Sequence, residues 1–123
     1  VTIAGDGGFM FNVQELATAV QHRIAVTIVV LNDNAYGNVK RMQQENYAGR
    51  TIASDLANPD FVALAEAFGA RGMQVNSPDE LSRAIAASFE DEDGPTLIEV
   101  PCGEFPSPWG LVQLPRQRGA LSA

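Results

Sequence analysis

The chain has 123 residues, 46% of them hydrophobic, which is enough for one domain with a buried core. Its 15 acidic residues outnumber the 8 basic ones, and the net charge of −7 argues against a surface that binds nucleic acid or acidic lipid. The single cysteine, Cys102, excludes an internal disulfide and is typical of a cytoplasmic protein. Because no apolar run reaches about 18 residues, the sequence predicts no membrane span.

The first predicted element is a strand, Val1 to Ala4, and it leads directly into Gly5-Asp6-Gly7-Gly8. A chain that opens inside a strand, without an initiator methionine, predicts that the domain is incomplete. Glycines allow positive φ and close approach to a ligand, and a helix beginning just beyond them points free N–H groups at an anion. This stretch therefore indicates a phosphate site. Because a carboxylate repels a phosphate, Asp6 predicts a cation between the two.

A helix is predicted from Asn12 to His22, in which Asn12 and Glu15 have the spacing of a capping box. Its apolar face is formed by Val13, Leu16, Ala17 and Val20. His22, the only histidine, is expected to interact with the carbonyls at the helix end rather than to catalyse. The next run, Ala25 to Leu31, is apolar throughout and predicts a strand buried on both faces.

The second strand is followed by a polar run, Asn32 to Gly37. In a right-handed strand–helix–strand unit, both strands end at the same edge of the sheet. Neighbouring strands lie about 4.8 Å apart, and magnesium ligands lie about 2.0–2.1 Å from the ion. Asp6 and one of Asn32, Asp33 and Asn34 are therefore expected to share one cation, and the spacing alone leaves open which of the three takes part.

Beyond this motif, Gly37 is expected to allow a tight turn before a short exposed helix, Asn38 to Tyr47. Residues 49–57 are predicted to form a loop. Asn58 is expected to cap a helix that runs through Phe68 and ends at Gly69.

Ser77, with Glu80 three residues later, predicts another capped helix, which extends to Phe89. Short strands are predicted for residues 70–75 and 96–100, on either side of this helix. Strands that alternate with helices predict a three-layer α/β domain with a mostly parallel sheet and helices on both faces.

The remaining segments are predicted to be irregular. Residues 90–94 are expected to form a solvated acidic turn. Residues 1–100 are taken as the α/β domain, and residues 101–123, with four prolines, as an irregular tail in which Trp109 packs onto the domain.

Two short sequences, GDGGF at residues 5–9 and NDNAYG at residues 32–37, resemble the diphosphate-binding motif of thiamine-diphosphate-dependent enzymes. The 24 residues from Gly8 to Leu31 lie between Gly7 of the first and Asn32 of the second. More narrowly, residues 5–20 and 29–39 resemble the C-terminal cofactor domain of the acetolactate synthase, pyruvate oxidase and benzoylformate decarboxylase group. The resemblance extends over essentially the whole chain and is specific for the cofactor rather than for the substrate.

The resemblance implies a magnesium ion held by Asp6, by the side chain 27 positions later at Asp33 (33 − 6 = 27), and by the backbone carbonyl of Ala35. The family commonly has asparagine where this chain has Asp33. The residues implied to bind the cofactor are Gly5, Asp6, Gly7, Gly8, Asp33, Tyr36, Gly37 and Asn38.

The resemblance also implies a 2-keto acid substrate that is decarboxylated or joined to a second carbonyl compound. A glutamate that activates the cofactor lies on another domain in this family, so no catalytic residue is assigned here. Upstream domains of the same protein and a second subunit, in a homodimer or homotetramer, would complete the active site. The alternative from another class is a non-enzymatic phosphate- or metal-binding module, such as a receiver-like domain. Such a domain usually has a lysine at a later strand end, where this chain has Pro101-Cys102-Gly103.

Overall fold

The computed structural model describes residues 1–90 and 93–107. The strands are β1 (Thr2–Gly5), β2 (Thr27–Asn32), β3 (Arg71–Gln74) and β4 (Thr96–Pro101). The helices are α1 (Asp6–Met10), α2 (Glu15–Gln21), α3 (Gly37–Asn46), α4 (Phe61–Phe68) and α5 (Pro78–Ser88). In this part of the chain, every helix is too short for a bilayer span.

The strands form one parallel sheet in the order β1-β2-β4-β3. β2 lies inside the sheet and is largely buried, as its unbroken apolar run predicts, although it begins at Thr27 rather than Ala25. β1 lies at an edge, and its Ile3 side chain is 69% exposed.

Helices cover both faces of the sheet. Consecutive residues of a strand point to opposite faces, so neighbouring residues of one strand pack against different helices. Leu97 of β4 belongs to a core cluster with Phe9 of α1, Leu16 of α2 and Phe61 of α4. Its neighbour Ile98 belongs to a second cluster, which includes residues of α5. The predicted three-layer α/β fold is therefore confirmed.

Two predicted helix starts are wrong. No side chain caps α2, which begins at Glu15 after Gln14, so Asn12 and Glu15 do not form a capping box. Residues 6–10 are already helical, and the chain turns between α1 and α2 instead of beginning one long helix. Leu16 is buried and Val13 and Val20 pack against the same core, as predicted, but Ala19 is buried in place of Ala17. His22 is exposed at the C-cap of α2, and its interaction with the helix-end carbonyls stays a prediction.

The start of α4 is also displaced, because its N-cap is Asp60, whose side chain accepts a hydrogen bond from the Ala63 N–H. Asn58, predicted to be the cap, lies two residues earlier. The other end signals are confirmed: Gly69 ends α4 with a φ of 83°, and Ser77 caps α5.

The exposed helix after the second strand is also confirmed, as α3 has no buried residue. Two predictions fall outside the described residues: part of the acidic turn, residues 91–92, and the packing of Trp109.

Candidate active site

The two predicted aspartates follow neighbouring parallel strands. Gly5 at the end of β1 pairs with Leu31 of β2, so Asp6 and Asp33 emerge beside each other at the same edge of the sheet. Asp6 is only 2% exposed, and both aspartates line the same cleft. Burial, and then the negative charge of Asp6, raise the pKa of Asp33 above its usual range. Such a pair is stabilised when a cation lies between its members.

Asp6 is held by two hydrogen bonds, one to each carboxylate oxygen. Oδ1 accepts from the backbone N–H of Gly7 at 2.8 Å, and Oδ2 accepts from the Asn58 side-chain amide at 2.6 Å. A carboxylate has about four acceptor positions, so both oxygens keep capacity for a cation.

The loop after β2 presents Asp33 and Ala35 together. Asp33 Oδ1 accepts from the Ala35 N–H at 3.2 Å, and Asn34 between them has a φ of 55°. Ala35 also lies opposite Asp55 in an isolated antiparallel bridge. Two backbone hydrogen bonds flank this bridge: the Tyr36 N–H donates to Ser54, and the Asn34 carbonyl accepts from Leu56. Neither bond uses the Ala35 carbonyl, which is therefore available to a ligand.

Three neighbouring polar residues were candidates for the second ligand, and the structure distinguishes them by their partners. Asn32 is buried, and its amide donates to Glu99 and accepts from Asn58. The exposed Asn34 side chain is 3.5 Å from Asn58. Of the three, only Asp33 has a carboxylate, which the charge of Asp6 repels. A cation between the two carboxylates would offset this repulsion.

Gly7 and Gly37 are required for space, and no glycine of either motif has positive φ, contrary to the expectation for the first motif. Gly5 is extended, with a φ of −74°, and Gly7 and Gly8 are helical. A Cβ on Gly7 would lie 2.4 Å from the Tyr36 ring, and one on Gly37 would lie 2.5 Å from Asp33 Oδ2. Gly37 begins α3 rather than making a tight turn.

A cleft of about 630 Å³ lies at this edge of the sheet. Its walls include all eight residues predicted to bind the cofactor, together with Ala35. The other lining residues are Leu31, Val39, Arg41, Phe105 and Pro106. The N-cap Gly5 of α1 has no side chain, and in the first turn the Gly7 N–H donates to Asp6 Oδ1.

Four residues in and around this site were not predicted from the sequence to take part in it. Arg41 lines the cleft and donates to the carbonyl of Phe105. Asn58 was interpreted as a helix cap, and Glu99 lies within an apolar strand, so neither had a signal of its own. Cys102 follows β4 next to the site, and burial, then Asp33 and Asp6, raise the pKa of its thiol.

The chemistry of these donors fits a hard divalent cation. The described residues contain no cluster of three His, Cys, Asp or Glu side chains that would hold a metal without help. The available set is two carboxylates and one carbonyl, all oxygen, and magnesium is usually bound by one or two carboxylates together with phosphate oxygens and water.

Comparison with known proteins identifies relatives of this arrangement. The family described as thiamine pyrophosphate enzyme, C-terminal TPP binding domain, matches residues 1–100. Acetolactate synthase of Bacillus subtilis is 43% identical over 101 residues, which are 82% of this chain and 17% of that protein. The large subunit of Escherichia coli acetolactate synthase isozyme 2 is 38% identical over 116 residues, which are 91% of this chain and 20% of the relative.

Solved structures agree with these matches. A thiamine diphosphate-dependent 4-hydroxybenzoylformate decarboxylase of Rhodococcus jostii RHA1 superposes with a TM-score of 0.77 at 32% identity, covering 85% of this chain and 20% of that one. Benzoylformate decarboxylase from Polynucleobacter necessarius gives 0.77 at 31% identity, with the same coverage. The chain thus spans about a fifth or less of the length of these proteins.

Proposed function

We propose that this chain, which belongs to the family of C-terminal TPP-binding domains of thiamine pyrophosphate enzymes, holds the diphosphate of its cofactor through a magnesium ion. The metal ligands in this proposal are the side chains of Asp6 and Asp33 and the carbonyl of Ala35. Gly5, Gly7, Gly8, Tyr36, Gly37 and Asn38 line the diphosphate.

The observation that carries the proposal is the meeting of Asp6 and Asp33 at the wall of the cleft. Two carboxylates at this position repel each other and would repel a diphosphate, so binding of the cofactor needs a cation to join them. The missing side chains of Gly7 and Gly37 fit the same role, because a Cβ at either position would displace Tyr36 or Asp33 from the loop.

We propose further that the complete protein decarboxylates a 2-keto acid or transfers the resulting group to a second carbonyl compound. The relatives named acetolactate synthase and 4-hydroxybenzoylformate decarboxylase support this reaction class. Bound thiamine diphosphate would supply the nucleophilic carbon for this chemistry. The residues of this chain bind and orient the cofactor, and none is assigned as an acid or base.

The partners in this proposal are the upstream domains of the same protein and a second subunit, in a homodimer or homotetramer located in the cytoplasm. The exposed edge strand β1 supports a need for further segments, since its Ile3 and the preceding Val1 are 69% and 63% exposed. The receiver-like alternative is not favoured, because the family match covers residues 1–100 and points to the cofactor instead.

The test is calorimetric titration of thiamine diphosphate into the complete protein, with magnesium and with excess chelator. We expect binding with magnesium and none with chelator. Asp6→Ala should weaken binding by at least about 100-fold while the protein stays folded, since even indirect supports of metal sites contribute about 10–100-fold. Asp79→Ala is the matched control, because this exposed aspartate lies in the first turn of α5 and does not line the cleft. Tight binding in chelator would contradict the metal-dependent site.

A further inference from the structure

A series of side-chain hydrogen bonds connects the buried strand β4 to Asp6. Glu99 Oε1 accepts from Asn32 Nδ2 at 2.6 Å, and Asn32 Oδ1 accepts from Asn58 Nδ2 at 3.0 Å. The same Asn58 nitrogen donates to Asp6 Oδ2 at 2.6 Å. Glu99 and Asn32 are 7% and 9% exposed, so the series lies mostly beneath the cleft. Neither Asn58 nor Glu99 lines the cleft itself.

The polarity of this series determines how Asn58 is oriented. A carboxylate only accepts hydrogen bonds, so Glu99 directs the NH₂ group of Asn32 towards itself and the oxygen of Asn32 towards the loop. That oxygen also accepts from the backbone N–H of Asn34 at 3.2 Å. The two nearer acceptors of Asn58 are therefore Asn32 Oδ1 and Asp6 Oδ2, and its NH₂ group has one hydrogen for each; Asn34 Oδ1 is farther away, at 3.5 Å. Its opposite orientation would place oxygen against oxygen.

The result is a defined orientation for the Asp6 carboxylate. The Gly7 N–H holds Oδ1 and the Asn58 amide holds Oδ2, so rotation of the carboxylate breaks at least one bond. We propose that Asn58 is a positioning residue of the metal site: it holds Asp6 in the orientation that ligates the cation, and Asn32 and Glu99 hold Asn58. This inference rests on the proposed function, because it concerns the same cation.

A purely structural role for Asn58 would have different consequences. Asn58 is two residues before Asp60, the N-cap of α4, and could serve only to attach this loop to the sheet. Loss of such an attachment would lower stability without changing which metal the site prefers. A positioning role instead affects metal preference, because magnesium demands near-ideal octahedral geometry, whereas calcium accepts irregular sites.

The experiment compares wild type, Asn58→Ala and Asp60→Ala in the complete protein. Dissociation constants for magnesium alone and for calcium alone are measured by calorimetry at saturating thiamine diphosphate, and thermal unfolding is followed by circular dichroism. Asp60→Ala is the matched control: it removes a hydrogen-bonding side chain from the same loop and lowers stability, but it does not contact Asp6.

We expect Asn58→Ala to weaken magnesium binding by about 10–100-fold, the usual effect of removing a partner of a metal ligand, and to weaken calcium binding less. Asp60→Ala should lower the unfolding temperature and leave both metal affinities unchanged. Equal losses for the two metals, no loss in Asn58→Ala, or the same loss in Asp60→Ala would each overturn the positioning role. If wild type binds the cofactor without any metal, the proposed function fails and this inference with it. If wild type binds the cofactor only with metal and Asn58→Ala has unchanged metal affinities, the inference about Asn58 is overturned but the proposed function stands.

Discussion

Asp33 is the aspartate of the candidate site whose pKa is shifted by its surroundings. Its pKa is raised by burial first and by the charge of Asp6 second, although two backbone N–H groups act in the opposite direction. Without a cation, its ionised form therefore opposes folding. Asparagine keeps an oxygen ligand at this position and removes the charge, which makes Asp33→Asn an informative substitution.

We expect Asp33→Asn to raise the unfolding temperature of the metal-free protein near neutral pH and to weaken magnesium binding only mildly. Because a raised carboxyl pKa means that ionisation costs folding free energy, the gain should be present above that pKa. It should shrink as the pH falls through the raised pKa of Asp33 and be lost below 3.8, the ordinary pKa of this carboxyl. Thermal unfolding of both proteins between these pH values measures the difference. A loss of cofactor as severe as that of Asp6→Ala would contradict the ligand assignment.

Gly7 and Gly8 are adjacent glycines for which the structure predicts opposite effects of alanine on stability. A Cβ on Gly7 would lie 2.4 Å from the Tyr36 ring and 3.1 Å from Leu56, whereas one on Gly8 would meet nothing within 4 Å. Gly7→Ala should therefore destabilise the cofactor-free protein by about 1–3 kcal/mol, as overpacking does. Gly8→Ala should stabilise it by up to about 1 kcal/mol, because alanine is the better helix former. Urea unfolding measures both; stabilisation by Gly7→Ala would show that Tyr36 moves aside, and destabilisation by Gly8→Ala would contradict the open space at that position.

At the scale of elements, the loop between α3 and α4 supports the site. Two backbone hydrogen bonds of 2.8 Å join it to the loop after β2, from Tyr36 N–H to the Ser54 carbonyl and from Leu56 N–H to the Asn34 carbonyl. The Lys40–Asp55 ion pair joins the same loop to α3. Because the metal ligand Ala35 in our proposal lies between the two backbone bonds, this loop helps to keep its carbonyl in place.

This arrangement predicts that Ser54 acts through its backbone and not through its side chain. Its hydroxyl is buried and makes no hydrogen bond within residues 1–90 and 93–107. Ser54→Ala should therefore leave cofactor affinity unchanged and shift the free energy of unfolding by no more than about 1 kcal/mol, towards higher stability if at all. Leu56→Pro, which removes the N–H that bonds Asn34, should weaken cofactor binding. Calorimetry on both variants tests this, and a cofactor loss in Ser54→Ala would show that the hydroxyl has a partner in the complete protein.

At the scale of the whole molecule, helices cover both faces of the sheet, but the edge strand β1 is not covered by the residues that the structure describes. β2 and β4 are enclosed by neighbouring strands and helices, whereas β1 has a free edge in the described part of the chain. Exposed strand edges with apolar side chains associate readily with other chains. In our proposal, the active site also needs a second domain, because the residues of this chain would hold only the diphosphate end of the cofactor.

Residues 1–123 expressed alone are therefore expected to be catalytically silent and to self-associate. The measurements are sedimentation velocity and an assay of 2-keto acid decarboxylation with thiamine diphosphate and magnesium. Ile3→Lys is the matched variant: it places a charge on the exposed edge strand and should increase the monomer fraction without restoring activity. A monodisperse monomer that decarboxylates pyruvate or benzoylformate would contradict the view that this chain is part of an active site.

The sequence by itself determined the fold and most of the candidate site. Strand and helix periods specify the layers, and the two polar motifs follow apolar strands, so the parallel topology places Asp6 and Asp33 at one edge. These are local patterns. They can be predicted from the sequence because they depend on residues that are close together in the chain. The end signals at Gly69 and Ser77 succeeded for the same reason.

Only the tertiary structure decided which polar residues support that site. Asn58 resembles a helix cap in sequence, but it contacts Asp6, which is 52 positions away. Glu99 lies in a strand that the sequence shows only as apolar, and its partner Asn32 is 67 positions away. Hydrogen bonds over such separations depend on how strands align and where a loop folds back. No local pattern encodes that alignment, because it results from the packing of the whole sheet.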